Sequence, residues 1–157
     1  MRYHEMLGDK VQRQFGIGEP APVALGDRVH HDDCDALGHV NNTRYMVWFE
    51  RLRITFMAHY GIGGLAVPGD PRVVIRSGHM HWMAEMFWRE DYIATCRCTA
   101  MRRTSMTLQQ TIWTQGKQCA QFDCILVMLS PDGIGRMAIS DDIRARLQAD
   151  GAVPEAI

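Results

Sequence analysis

The sequence predicts an α+β fold in which one long helix packs against a five- or six-stranded antiparallel sheet. The stretch from Tyr45 to Tyr60 has helical periodicity, with large apolar side chains at three- and four-residue intervals. Extended segments fill the second half of the chain, and Gln115-Gly116-Lys117 joins the last two as a hairpin. Because a single helix can cover only one face of such a sheet, we also expect a second copy of the chain to pack on it, as a homodimer or homotetramer.

The elements follow one another simply along the chain. Residues 1–21 form an N-terminal extension that we expect to be mobile, and the first strand is predicted from Val23 to His31. A polar loop, residues 32–40, leads into the helix, for which Asn41 or Asn42 is a good N-cap. The apolar stripe of this helix consists of Tyr45, Phe49, Leu52, Phe56 and Tyr60.

Glycines predict the end of the helix, and turn residues separate the later strands. Gly61 and Gly63-Gly64 follow the last apolar residue of the stripe. The later strands are predicted at residues 72–82, 90–101, 105–114 and 118–129. Residues 136–157 form a tail that we expect to be partly helical.

Length and composition indicate one domain without an electrostatic preference for a polyanionic partner. The chain has 157 residues, enough to bury about 70% of its unfolded surface around one core. Seventeen basic residues against 18 acidic ones give a net charge of −1, so we expect neither nucleic acid nor membrane as a partner. Five cysteines without a secretory signal fit free thiols in a cytoplasmic protein.

The loop before the helix carries the residues with the clearest chemical potential. Asp33 and Asp35 come just before a helix N-terminus, which offers unpaired backbone N–H groups and the positive end of the helix dipole. A carbonyl oxygen at such a site is polarised, and a nearby carboxylate can attack the carbonyl or activate water. The combination suits acyl transfer.

Residues 33–53 read D-x-D-x-x-G-H-V-N-N-x-x-Y followed by F-E-x-x-R. This motif resembles the 4-hydroxybenzoyl-CoA thioesterase branch of the hotdog superfamily. The resemblance covers about residues 22–135 and implies a hotdog thioesterase domain, with a long helix wrapped by the sheet. It implies an acyl-CoA thioesterase that releases a free acid and CoA. The G-H-V-N-N spelling is more similar to the broad acyl-CoA branch than to the aromatic-specific enzymes, so the acyl group stays open.

The resemblance also assigns roles to individual residues. The catalytic carboxylate of the family falls on Asp35, and the N–H that polarises the carbonyl falls on Asn42. His39 is a further candidate, either as an acid or base or, given its place near the helix start, as a residue that shapes the loop or orients the substrate. Candidate substrate-binding residues are Tyr45 for the acyl pocket and Arg102, Arg103 and Ser105 for the CoA phosphates.

Several alternatives remain open from the sequence. A sister branch of these thioesterases uses a helix glutamate, which would be Glu50, although a helix ion pair with Arg53 three residues on is the ordinary explanation of this residue. The histidines, acids and cysteine between residues 30 and 39 resemble a metal cluster, but they lack the spacing of known ligand motifs, so we expect no metal and no cofactor apart from CoA as part of the substrate. A hotdog hydratase or dehydratase and a non-catalytic acyl-CoA binding module are the other functional interpretations.

The methionines and tryptophans are candidates either for the acyl pocket or for the core. Core filling is the commoner role of such residues. The set consists of Met46, Trp48, Met80, Trp82, Met83, Met86 and Trp88.

Overall fold

The structure, a computed structural model, describes residues 1–63 and 67–155. Its helices are α1 (Asp9–Gln14), α2 (Arg44–Tyr60) and α3 (Asp141–Ala149). Its strands are β1 (Val23–Arg28), β2 (Arg72–Trp82), β3 (Asp91–Met101), β4 (Ser105–Thr114), β5 (Lys117–Leu129) and β6 (Val153–Pro154). One turn of 3-10 helix, His31–Asp33, lies between β1 and α2. Gly64, one of the predicted helix terminators, lies outside the described residues.

The strands form one sheet in the order β1-β3-β4-β5-β2, and every neighbouring pair in this order is antiparallel. β1 pairs with the first half of β3. The short β6 lies parallel to the end of β3 and brings the sheet to six strands. The predicted five- or six-stranded sheet is confirmed, with one short parallel pair that the sequence did not indicate.

The predicted strands after the helix agree with β2 to β5 to within one residue at each end. The first strand is shorter than predicted, because it ends at Arg28 and not at His31. The cause lies in the loop: Asp33 Oδ2 accepts the backbone N–H of His30 (2.8 Å), and the chain turns there instead of continuing as a strand.

Helix α2 buries the predicted apolar stripe against the sheet. Its members are each 3% exposed or less, and the ring of Phe49 stacks on Phe122 of β5 with centroids 5.9 Å apart. The helix ends at Gly61, whose φ of 68° is the left-handed conformation that glycine adopts most easily. Neither α2 nor another helix in the described part of the chain is both long and apolar enough to cross a membrane.

The sequence suggested that the N-terminal extension is mobile. In the structure these residues pack on the sheet and do not extend away from it. Leu7 and Ile17 are buried in a small cluster with Ala24 of β1. The side chain of Gln12 is fully buried and donates to the carbonyls of Leu7 and Ala21, both at 3.0 Å. A buried amide with its hydrogen bonds made ties this segment to the domain.

β2 forms one edge of the sheet and, in the described part of the chain, pairs with β5 alone. Most of its side chains are exposed on both faces, in contrast to β3, β4 and β5. Exposed apolar residues on this strand include Val74, Ile75 and Trp82. A long edge of this kind is a natural place for another strand to pair.

Candidate active site

The loop between β1 and α2 is fixed by the side chain of Asp33, which is 2% exposed. Besides the contact with His30, Asp33 Oδ1 accepts a hydrogen bond from Nε of Arg44 (2.7 Å), the first residue of α2. The carbonyl of Asp33 accepts the N–H of Asn41 (2.9 Å). A charge-assisted pair at this depth holds the end of β1 and the start of α2 in one arrangement.

Asp35 lies in a tight turn that leaves one carboxylate oxygen unused. Asp35 Oδ1 accepts the N–H of Leu37 (2.9 Å), and the Asp35 carbonyl accepts the N–H of Gly38 (3.0 Å), whose φ is 84°. The Asp35 N–H donates to the carbonyl of His39 (3.0 Å). These bonds fix the side chain while Oδ2 makes no hydrogen bond to a described residue, so this oxygen is available for chemistry.

The start of α2 presents an unpaired donor next to this turn. Asn41 Oδ1 accepts both the N–H and the hydroxyl of Thr43, at 2.9 and 2.8 Å. Helix α2 is assigned from Arg44, with Thr43 before it, but Thr43 has helical dihedral angles and makes no side-chain cap. Asn41, one of the two predicted capping residues, supplies the side-chain acceptor for this first turn, two residues earlier than the assigned N-cap. The N–H of Asn42 has no hydrogen-bond partner among the described residues.

Asp35 and Asn42 line the same cavity of about 340 Å³. The other lining residues are His39, Val40, Tyr45, Trp82, Met83, Ala84 and Glu85. Trp82 is the last residue of β2, and residues 83–85 follow it. The N–H groups of Met83 and Ala84 both donate to the carbonyl of Cys119 and hold this segment in place. The structure therefore brings together Asp35, His39, Asn42 and Tyr45 of the predicted site residues.

His39 sits between two carboxylates at the edge of the cavity. Its Nδ1 is 3.9 Å from Asp35 Oδ2, and its Nε2 is 4.0 Å from Glu85 Oε1. Nδ1 also lies 3.2 Å from the carbonyl of Val40, which can only accept, so Nδ1 carries the proton in a neutral ring. Sequence reasoning did not single out Glu85, because no local motif connects it with the loop.

Tyr45 forms the inner wall of the cavity. It is 3% exposed, and its ring makes an edge contact with Trp48 at a centroid distance of 5.2 Å. Burial raises the pKa of the Tyr45 phenol well above its usual value, so the hydroxyl stays protonated and can donate a hydrogen bond. Of the methionines and tryptophans considered for the acyl pocket, Trp82 and Met83 line this cavity, whereas Trp48 and Met86 are core residues.

Arg102, Arg103 and Ser105 lie away from the cavity of their own chain. Arg102 Nε donates to Glu155 Oε2 (3.0 Å), and Arg102 and Ser105 line a separate space of about 70 Å³. Arg103 is exposed, and its carbonyl accepts the N–H of Ile139 (2.9 Å).

The register of the sheet shows how far apart the two regions are. Trp82, beside the cavity, pairs with Ala120 of β5, whereas Ser105 pairs with Val127 of the same strand. Seven residues of strand separate these positions, about 23 Å at the usual rise per residue. The structure does not bring the predicted phosphate ligands to the cavity of the same chain.

The predicted helix ion pair between Glu50 and Arg53 is wrong. Arg53 is 8% exposed and turns toward the sheet, where its Nη1 donates to Gln110 Oε1 (3.0 Å). Gln110 in turn donates to the carbonyl of Phe49 (2.8 Å). Glu50 is exposed and lies outside the lining of the cavity. In the described ranges, no three His, Cys, Asp or Glu side chains are grouped closely enough to hold a metal ion.

A profile of the thioesterase-like superfamily matches residues 29–147. A thioesterase superfamily protein from Jannaschia sp. CCS1 has a solved structure with 32% sequence identity, 96% of each chain covered and a TM-score of 0.89. A search of the curated proteins finds no match.

More distant solved structures share the fold. A thioesterase from Thermus thermophilus, complexed with coenzyme A and Zn, has 21% identity and a TM-score of 0.70, covering 85% of this chain and 96% of that one. A hypothetical protein from Staphylococcus aureus in complex with CoA has 11% identity and a TM-score of 0.73, with 82% of each chain covered. The profile match includes the whole loop and helix motif, and it shows that the chain belongs to the thioesterase-like superfamily.

Proposed function

We propose that the protein is an acyl-CoA thioesterase, which hydrolyses the thioester of an acyl-CoA to a free acid and CoA. The observation that carries this proposal is that Asp35 and Asn42, whose N–H has no partner among the described residues, line the same largely apolar-walled cavity. A preorganised donor aimed at a developing oxyanion is among the largest contributions to acyl transfer. The CoA complexes of the T. thermophilus and S. aureus proteins support a CoA ester as the substrate class.

Asp35 can promote hydrolysis by either of two routes once the thioester carbonyl accepts the Asn42 N–H. As a nucleophile, its carboxylate attacks the carbonyl carbon, the C–S bond breaks, and an acyl-aspartyl anhydride forms that water then hydrolyses. As a general base, it takes a proton from a water whose oxygen attacks the same carbon, and the departing thiolate takes up a proton. We assign His39 to holding the loop and orienting the substrate, because its Nδ1–H is engaged by the carbonyl of Val40.

A panel of acyl-CoA esters assayed with a thiol reagent tests the proposed function. Release of free CoA supports a thioesterase. Addition of water to an enoyl-CoA without CoA release would instead identify a hydratase. Saturable binding with neither reaction would identify a binding module, and both of these outcomes would contradict the proposal.

The first prediction concerns assembly: we expect at least a homodimer with the hotdog arrangement, in which the sheets wrap the α2 helices. The open β2 edge, with Val74 and Ile75 exposed, supports pairing with a second copy. Light scattering at micromolar concentration should give at least twice the chain mass, and Ile75→Lys should shift the equilibrium toward monomer. Val153→Lys, on the exposed β6, is the matched control. A fully active monomer would contradict this prediction.

The second prediction concerns the basic pair at the β3–β4 turn. If Arg102 and Arg103 bind CoA phosphates, they must do so from a partner subunit, because they lie far from the cavity of their own chain. Replacing both with Ala should then raise KM for acyl-CoA and weaken its salt dependence, with little effect on an acyl-pantetheine. Equal losses for both substrates would mean that the pair supports the fold, which its contacts with Glu155 and Ile139 also allow.

A further inference from the structure

Arg53 is a buried cation without a counter-charge in its own chain. It is 8% exposed, and its Nη1 donates to the neutral amide oxygen of Gln110. Among the described residues, no carboxylate forms an ion pair with it. Burial lowers the pKa of this guanidinium, because a charge away from water costs free energy unless an opposite charge lies close by.

The guanidinium of Arg53 faces the half of the sheet that ends in the open β2 edge. Its central carbon lies 5.8 Å from the centre of the Phe122 ring on β5. Arg51, on the opposite flank of α2, instead lies 3.6 Å from Asp27 of β1, the strand at the other end of the order. In the described structure no fully enclosed side-chain nitrogen lacks a partner, so the unbonded nitrogens of Arg53 border accessible space.

Arg53 belongs to one flank of α2, which we call the Glu50 flank and which consists of Met46, Glu50, Arg53 and Met57. These residues recur at the alternating four- and three-residue spacing of a helix seam. Glu50 and Met46 are exposed, whereas Met57 is half-buried and borders the same space as Val73 of β2. The flank thus presents an exposed carboxylate beside a buried guanidinium, between two apolar side chains.

We propose that the Glu50 flank packs against the same flank of a second copy of the chain, and that Glu50 of each chain provides the counter-charge for Arg53 of the other. In a two-fold contact, if one residue touches a second residue of the partner, the second also touches the first. An acid and a base one turn apart meet this condition in an antiparallel pair of helices, with the axis between them. The flank adjoins the β2 edge, where we also expect a second copy, so both surfaces belong to one interface.

A second copy fits the Glu50 flank better than a small anionic ligand does. Arg53 does not line the cavity of the candidate active site. A small anion could neutralise Arg53, but it would leave Met46 and Met57 uncovered and would lie beside the like charge of Glu50. The flank of a second copy covers the methionines and pairs both charges at the same time. The inference does not depend on the thioesterase activity.

Charge reversal tests the pairing. Glu50→Lys places a cation against Arg53 at both symmetric contacts, so the Kd of the dimer should rise at least about 100-fold, roughly tenfold for each contact. Glu5→Lys makes the same change of charge on the exposed N-terminal segment and should alter Kd by less than about threefold. Fluorescence-detected sedimentation over a dilution series measures both, and equal effects of the two variants would overturn the inference. We expect Glu50→Gln to stay dimeric at micromolar concentration, because its amide oxygen still accepts from a guanidinium.

Arg53→Met shows whether the effect of Glu50→Lys comes from the guanidinium. In the Arg53→Met background, Glu50→Lys should raise Kd by less than about tenfold, because no buried cation is left to repel the new lysine. An equal rise in both backgrounds would mean that Glu50 faces another group, and the inference would be wrong. An unchanged dimer in Glu50→Lys with a raised KM for acyl-CoA in Arg53→Met would assign the counter-charge to the substrate instead.

Cross-linking gives an answer that does not depend on the folding of an Arg53 variant. Cys34 is half-buried and the other cysteines are buried, so Cys34→Ser provides a background of low thiol reactivity. In it, Glu50→Cys places a thiol beside the proposed two-fold axis, and a short bismaleimide should join two chains covalently. Glu5→Cys is the control and should stay single-chain. Absence of the covalent dimer in Glu50→Cys would overturn the inference, whereas CoA release by the wild-type protein would still support the thioesterase proposal.

Discussion

Asp35→Asn is expected to abolish hydrolysis of acyl-CoA while leaving the fold and substrate binding intact. The amide keeps an oxygen that can accept the Leu37 N–H, and asparagine favours the same kind of turn, so the loop should keep its shape. The amide is neither a useful nucleophile nor a base. We therefore expect kcat to fall by at least about 100-fold, because a positioned acid-base or nucleophilic group commonly contributes two or more orders of magnitude.

The measurement separates chemistry from binding. Steady-state kinetics should show the loss in kcat with KM little changed, and the binding of an acyl-CoA to the inactive variant, followed by calorimetry, should stay close to that of the wild-type protein. Glu50→Gln is the matched control, because Glu50 is exposed on α2 and outside the cavity. Loss of activity in Glu50→Gln with a normal Asp35→Asn would place the catalyst on the helix, and normal activity in both variants would refute the enzyme proposal.

The sequence predicted the strands after α2 and the buried face of α2, because the local patterns in these segments agree with the tertiary structure. The strands β2 to β5 are bounded by turn residues, such as the glycine at Gly116 with its φ of 75°, so their limits were readable to one residue. The stripe from Tyr45 to Tyr60 determined both the type of element and the face that it buries. Arg53 is an exception. Its helical spacing from Glu50 suggested a surface ion pair, but the structure buries the guanidinium against Gln110.

Only part of the candidate site could be predicted, because its residues come from two segments that lie far apart in the sequence. Asp35, His39 and Asn42 stand together in one motif, and local turn chemistry places them. Glu85 and Met83 come from a segment far along the chain, and only the fold places them opposite the motif. Hydrogen bonds such as that from the Val40 N–H to the Met86 carbonyl (2.8 Å) create this contact, and no pattern within either segment encodes it.

Arg44→Ala is expected to be among the most destabilising substitutions near the site, although Arg44 touches no substrate in the proposed mechanism. Removing the guanidinium leaves the Asp33 carboxylate, 3% exposed at its side chain, without its only charged partner among the described residues. Breaking a buried ion pair from one side typically costs about 3–5 kcal/mol. Because the Arg44 side chain is 32% exposed, we expect about 3 kcal/mol of lost unfolding free energy, measured by urea denaturation at fixed protein concentration.

Two comparisons make this prediction specific. Arg2→Ala removes an exposed pair with Glu5 (3.4 Å) and should change the unfolding free energy by less than about 0.5 kcal/mol. Asp33→Asn keeps an acceptor for the His30 N–H and lets Arg44 reach water, so it should cost less than Arg44→Ala. Because the pair joins the loop of Asp35 to the helix start at Asn42, folded Arg44→Ala should also show a fall in kcat that is larger than the rise in KM. If Arg44→Ala costs no more stability than Arg2→Ala, the pair does not hold the site together.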